Sequence, residues 1–155
     1  MAIIFLNQSE CALCGDILRD SSDLQMFPPL TNNMKDPLFI FSDAGVHASC
    51  LDKHSLKEEV MHYVDLQTDT FMRKTCHVSG EQINDVNDFI STGLLTSNKQ
   101  EPLHQFNFLQ MKKSQLHNWK ERALFLETAA AFIAAGKWDG FMGYNGLQIC
   151  IDVFK

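Results

Sequence analysis

Cys11, Cys14, His47 and Cys50 form a C-x2-C and H-x2-C pair of pairs, and the frame around them recurs 65 positions later. Laid without gaps on residues 76–116, residues 11–51 match at 12 of 41 positions. The matches are Cys11/Cys76, Gly15/Gly80, Asp20/Asp85, Asp23/Asp88, Leu30/Leu95, Thr31/Thr96, Asn33/Asn98, Pro37/Pro102, Leu38/Leu103, Phe41/Phe106, Ser49/Ser114 and Leu51/Leu116. Average composition gives about two or three such matches by chance. At the four positions in question the later stretch reads Cys76, Ser79, Lys112 and Gln115. Two thiol and imidazole pairs at this spacing are what a closed tetrahedral zinc site requires, so the expectation is one loaded module and one blank copy.

Each copy reads the same way along the chain. Residues 2–6 suggest a short strand leading into a knuckle over 11–16, in which Gly15 supplies the positive φ of a tight turn. Residues 21–37 read as an irregular polar loop, Leu38 to Phe41 as a buried strand, and Asp43 to Gly45 as a turn. His47 to Cys50 opens a predicted helix running to about Met72, with Val60, Val64 and Phe71 on its apolar face. The second copy gives a knuckle remnant over 76–81, a loop over 84–102 and a strand over 106–108. A helix follows from a Ser114 N-cap to Gly136; from Leu124 to Ala135 it is apolar on nearly every side and is therefore expected to be central. Tyr144-Asn-Gly146 between apolar residues predicts a C-terminal β-hairpin.

Knuckle, hairpin and a second ligand pair at a helix start resemble the treble-clef zinc finger, and the H-x2-C pair looks like that of LIM and RING modules. The resemblance covers residues 11 to about 65, with the second copy as a degenerate echo. It implies one structural Zn2+ on Cys11, Cys14, His47 and Cys50. The second ligand set of LIM and RING modules is absent, so ubiquitin-ligase activity is not implied. The expected fold is α+β: two tandem treble-clef-like units, 1–74 with zinc and 75–155 without, packed together with the C-terminal hairpin as one body.

Rivals for the same residues are weaker. A redox C-x-x-C needs a βαβ context that the pattern lacks. Cys76, His77, His104 and His117 offer a second ligand set, of which only Cys76 stands in the repeat frame. His54 and His62 lie two turns apart on the first predicted helix, with no nucleophile motif beside them. No G-x-S-x-G, Gly-rich phosphate loop or H-E-x-x-H occurs. Four protein ligands would also leave no open coordination position, whereas an HNH-like nuclease would need further histidines beyond Asp43 and His54.

Charge divides the chain unevenly. Residues 1–65 carry four basic and ten acidic side chains, and residues 66–155 nine of each. An acidic half favours a basic protein partner over phosphate backbones, with Asp16, Asp20, Asp23, Asp52, Glu58 and Glu59 as candidate contacts. In type, a small acidic chain of this kind is similar to the bacterial immunity proteins that neutralise nuclease toxins. The competing nucleic-acid reading rests on Lys112, Lys113, Lys120 and Arg122. An odd count of five cysteines, three in ligand spacing, and no apolar run of about 20 residues lead to the expectation of a reduced, cytoplasmic protein without a membrane span.

Overall fold

In the computed structural model, residues 2–155 are described. Two small antiparallel hairpins and a set of short helices make up the mixed α/β fold. β1 (Leu24–Met26) pairs with β2 (Gly45–His47), Leu24 lying opposite His47. β2 runs directly into α1 (Ala48–Leu51), and α2 (Lys57–Arg73) follows. β3 (Phe89–Ser91) pairs with β4 (Gln110–Lys112), Phe89 opposite Lys112. α3 (Arg122–Ala134) and α4 (Gly146–Phe154) complete the chain.

The hydrogen bonding of the two halves coincides at a constant offset of 65. Cys11 N–H donates to Asp16 O at 2.8 Å, as Cys76 N–H does to Glu81 O at 2.8 Å. Asp20 accepts from Ser22 N and Asp85 from Asn87 N. The Ser42 hydroxyl gathers the amides of Leu30 and Thr31, and Asn107 Oδ1 gathers those of Leu95 and Thr96. A different side chain therefore satisfies the same buried backbone in each half.

Several expected elements take another form. Residues 2–6 form no strand; a turn follows them, and Asn7 N–H bonds to Leu18 O at 2.8 Å. Within 21–37 the backbone is more ordered than a loop, holding a 3-10 turn (Ser21–Asp23) and β1. Leu38 to Phe41 is not a strand but part of a 3-10 turn, Pro37–Phe41; the expected strand at 106–108 is likewise absent, since Phe106 ends the 3-10 turn Pro102–Phe106 and residues 107–108 form a turn. Proline at its first position and the Asp36 carboxylate on Leu38 N–H at 3.0 Å start the turn. Leu38 and Phe41, three apart, then point the same way into the core, as 3-10 geometry requires.

The first long helix is broken. Residues 52–56 turn, with Leu56 N–H donating to His54 Nδ1 at 3.2 Å, before α2 starts with Glu58 and Glu59 in its first turn. Val60 and Tyr63 are its buried residues, whereas Phe71 is 58% exposed beyond the end of the core. Ser114 does not cap a helix: Lys113–Asn118 forms a 3-10 turn and α3 begins only at Arg122. α3 is not enclosed either. Phe125, Ala129 and Phe132 face inward, while Leu124 is 48% exposed and Ala130, Ala131 and Ala134 are exposed. Its uniform hydrophobicity comes from alanines, which have little area to bury.

The C-terminal hairpin is instead α4. The Asn145 side chain accepts from Gln148 N–H at 3.0 Å, so Asn-Gly caps a helix rather than turning a hairpin. Leu147, Ile151 and Phe154 recur at helical spacing and are buried, Phe154 at 5.1 Å from Phe125 and 5.5 Å from Trp119 between ring centroids. A strand would have offered every second residue instead and split that trio between two faces.

Buried side chains gather in two clusters, one around Phe41, Val46 and Tyr63 and one around Phe106, Phe125 and Phe154. The halves meet where Leu94 and Phe108 join the first cluster. Tyr63 OH lies 3.1 Å from Ser97 O and 3.0 Å from His104 Nε2, and Ser97 N–H donates to the buried Asp36 carboxylate at 2.7 Å. Asn33 holds the chain beyond α3, donating to Lys137 O at 3.0 Å and accepting from Asp139 N–H at 3.0 Å. Asn33→Ala removes both, and we expect about 1–3 kcal/mol of destabilisation because Lys137 O and Asp139 N–H lose their partner. Urea unfolding of the variant beside the parent chain measures that loss.

Candidate metal centre

The knuckle and the helix start converge because two backbone devices bring them together. Gly15, at φ +79°, turns the chain so that its N–H returns to Cys11 O at 2.8 Å and both thiols leave the same side. Ala12 N–H then bonds to Gly45 O at 3.1 Å, laying the knuckle against β2. His47, the last residue of β2, precedes α1, which places Cys50 one helical turn further on the same face.

The four ligand atoms of Cys11, Cys14, His47 and Cys50 all lie within 4.8 Å of one another. His47 Nδ1 is 3.5 Å from Cys14 Sγ and 3.9 Å from Cys50 Sγ. Zn–S bonds of about 2.3 Å and Zn–N bonds of about 2.0–2.1 Å at tetrahedral angles need S···N separations of about 3.6 Å, so the residues fit a zinc ion. Cys11 is buried, His47 and Cys50 are half-buried and Cys14 is exposed. Such a Cys3His group can hold one metal ion.

The thiols are prepared for deprotonation unequally. Burial pushes the Cys11 thiol up, but the amides of His47, Cys14 and Leu13 outweigh it and hold the group at about 7. An Asp16 amide favours the Cys14 thiolate, yet desolvation and the adjacent Cys11 and Cys50 thiols push it up to about 11. Crowded thiolates repel one another, and a dication among them removes that penalty.

An outer contact fixes the second ligand pair. Asp23 accepts from Ser49 N–H at 2.8 Å and from Ser49 Oγ at 2.9 Å, clamping the helix start between His47 and Cys50. Asp88 and Ser114 repeat the clamp at 2.8 Å and 2.8 Å. Both pairs stand among the matched positions of the sequence, which is the signal that marks them. The Ser114 amide and hydroxyl hold the Asp88 carboxyl below the ordinary carboxylate range. The clamp's contribution is therefore full above the unfolded value of about 3.9 and is lost as pH falls through the lower folded value. Asp88→Asn should destabilise the chain at neutral pH, and the gap from the parent should narrow as the pH of the denaturant titrations is lowered beneath about 3.9.

At the corresponding place in the second half, Lys112 Nζ pairs with Glu81 Oε2 at 2.6 Å, and Lys112 N–H donates to Cys76 Sγ at 3.4 Å. The lysine supplies a positive charge beside the remaining cysteine, a device the sequence shows only as a lost ligand. Cys76, His77, His104 and His117 are not brought together; among the described residues the first-half group is the one metal-holding cluster of three or more ligands. His104 bonds to Tyr63. His54 lies edge-on to Phe41 at 5.2 Å, and His62 packs beside Tyr63.

The six acidic candidates have different local surroundings. Asp20 caps the turn before β1, Asp23 clamps Ser49, and Asp52 pairs with Lys57 at 3.1 Å. Asp16 and Glu58 are exposed and Glu59 is half-buried. Among the described residues, no helix is long and apolar enough to cross a membrane. Compared with known proteins, the chain matches no family model, no curated protein and no solved structure, so its functional reading rests on the Cys3His cluster and the charge around it.

Proposed function

We propose that the chain is a non-catalytic, zinc-stabilised protein-binding module built from two tandem treble-clef-like units, residues 1–74 and 75–155, of which only the first retains its ion. The observation that carries this reading is the completeness of the ligand set: three thiols and one imidazole within 4.8 Å fill a tetrahedral shell and leave no position for substrate. Zinc then acts as a staple in the half whose own apolar cluster lacks the aromatic stack of Phe106, Trp119, Phe125 and Phe154. Recurrence of the same hydrogen bonds at an offset of 65 supports the duplication.

The partner in this reading is a basic protein that docks on the acidic first half, as a nuclease toxin does on a bacterial immunity protein. Three of the candidate carboxylates are spent on local structure, which leaves Asp16, Glu58 and Glu59 as the residues for such docking. Affinity purification of the full chain from its native host is the test. Recovery of a stoichiometric basic protein, released by high salt, is the expected result; recovery of nucleic acid alone, or of a small-molecule turnover activity, contradicts it.

A further inference from the structure

The ligands of the metal centre are unevenly covered. Cys11 is 1% exposed, Cys50 is half-buried and Cys14 is exposed, although their sulfurs lie within 4.8 Å of one another. Cys11 is also tied firmly to its surroundings. Its Sγ accepts the His47 N–H at 3.3 Å, its N–H donates to Asp16 O at 2.8 Å, and its carbonyl accepts the Gly15 N–H at 2.8 Å. Cys50 stands on α1, a helix of four residues. The second half supplies a comparison within the same chain. Cys76 repeats the burial of Cys11 at 1% exposure, but Ser79 stands at the place of Cys14, so that knuckle carries no second thiol.

Cysteine oxidises where its sulfur is thiolate in character and within reach of the oxidant. A metal-ligating cysteine meets the first condition, and of the three in the cluster Cys14 is the exposed one. We propose that Cys14 is a site of oxidation by hydroperoxides, and that Cys50 resolves it as a disulfide that opens the metal centre. The inference rests on the zinc reading of the cluster. In the first step the Cys14 sulfur attacks the peroxide: an S–O bond forms, the O–O bond breaks and hydroxide or alkoxide leaves. The Cys50 thiolate then attacks the Cys14 sulfur: an S–S bond forms, the S–O bond breaks and hydroxide leaves. Two thiolates thereby give two electrons to one hydroperoxide, and the departing oxygens take protons from water. An S–S bond of about 2.05 Å requires the sulfurs to close in from their present separation. An exposed residue and a four-residue helix can make that movement, whereas three hydrogen bonds resist it at Cys11. Cys11 and His47 are then left as two ligands of a four-ligand site, too few to keep the ion. Asp16, one of the residues left for docking, stands two positions from Cys14, so oxidation removes the frame that presents it.

The zinc content of the full chain is measured first. Hydrogen peroxide is then added while a chromogenic chelator reads released zinc against a sample without peroxide. Alkylation and peptide mass spectrometry follow each of the five cysteines. One zinc per chain should be released as a Cys14–Cys50 disulfide accumulates, with Cys14 consumed at least about tenfold faster than Cys76. Cys150→Ala removes a thiol outside the cluster and should release zinc at the parent rate. A chain without zinc at the outset overturns the zinc reading and this inference together. Four results with a zinc-loaded chain overturn this inference alone: Cys14 survives the peroxide, zinc stays bound after Cys14 is oxidised, Cys76 is consumed as fast as Cys14, or the bridge forms on Cys11 instead of Cys50.

Discussion

Replacing Cys11 by serine should unfold residues 1–74 while the aromatic cluster of the second half persists. The thiol is 1% exposed, accepts the His47 amide at 3.3 Å and is one of four ligands, so its loss removes the ion and leaves a hydroxyl in the core. Structural zinc contributes about 10–16 kcal/mol in finger peptides, which exceeds the whole stability of many small domains. The first cluster has no comparable reserve: residues 1–74 give it only Phe27, Phe41 and Tyr63 as large buried rings, and Phe108 joins them from the second half. Both tryptophans lie in the second half; Trp119, packed on Phe106, Phe125 and Phe154, follows that half's core, whereas Trp138 sits between the two residues that Asn33 of the first half binds. Chelation of the parent chain should reproduce the variant: amide resonances of the first half collapse while Trp119 emission, read in a Trp138→Phe background, stays native-like. A parent chain whose two halves melt together on chelation, or whose fold ignores both treatments, opposes this division.

Phe154→Ala has the converse effect. The ring is fully buried between Trp119 and Phe125, at 5.5 and 5.1 Å, and it terminates α4. Truncation of a phenylalanine at such a site costs about 3–5 kcal/mol, and here α4 also loses the last of its three anchors. Zinc content should be unchanged, because no ligand lies in that cluster. Tryptophan emission and the urea midpoint report the loss together. Loss of zinc in Phe154→Ala would place the metal under the control of the wrong half. Ser49→Ala, by contrast, leaves every ligand in place and removes only one bond to Asp23, so it should loosen metal retention without abolishing it; competition with a chromogenic chelator measures the change.

The ligand set was legible because coordination chemistry is written in residue types and spacings. Cys11, Cys14, His47 and Cys50 stand together as the pattern requires, and the matched Asp23/Ser49 and Asp88/Ser114 pairs turn out to be the clamps. Secondary structure was less legible for reasons that lie in the residues. Leu38 and Phe41 are compatible with a strand until Asp36 and Pro37 are given their weight as a capped 3-10 start. Asn145-Gly146 is a strong hairpin signal, and it lost to a side-chain cap followed by three core residues at helical spacing. The alanine-rich α3 sits at the surface because apolar character without volume gives little reason for enclosure. The Lys112–Glu81 pair was hidden because a lysine in place of a histidine reads as a loss, whereas in space it answers the charge of Glu81 beside Cys76.

Under the proposed duplication, restoring the missing ligands should restore the site. Ser79→Cys, Lys112→His and Gln115→Cys together would give the second half the first half's ligand set on a backbone with the same knuckle, hairpin and clamp. That triple variant should bind two ions per chain.

Metal content of the unaltered chain tests the account most directly. Protein purified without chelator and examined by elemental analysis beside native mass spectrometry should carry one zinc ion per chain, held through exhaustive dialysis. A folded, monodisperse chain with a zinc ratio near zero would contradict the account.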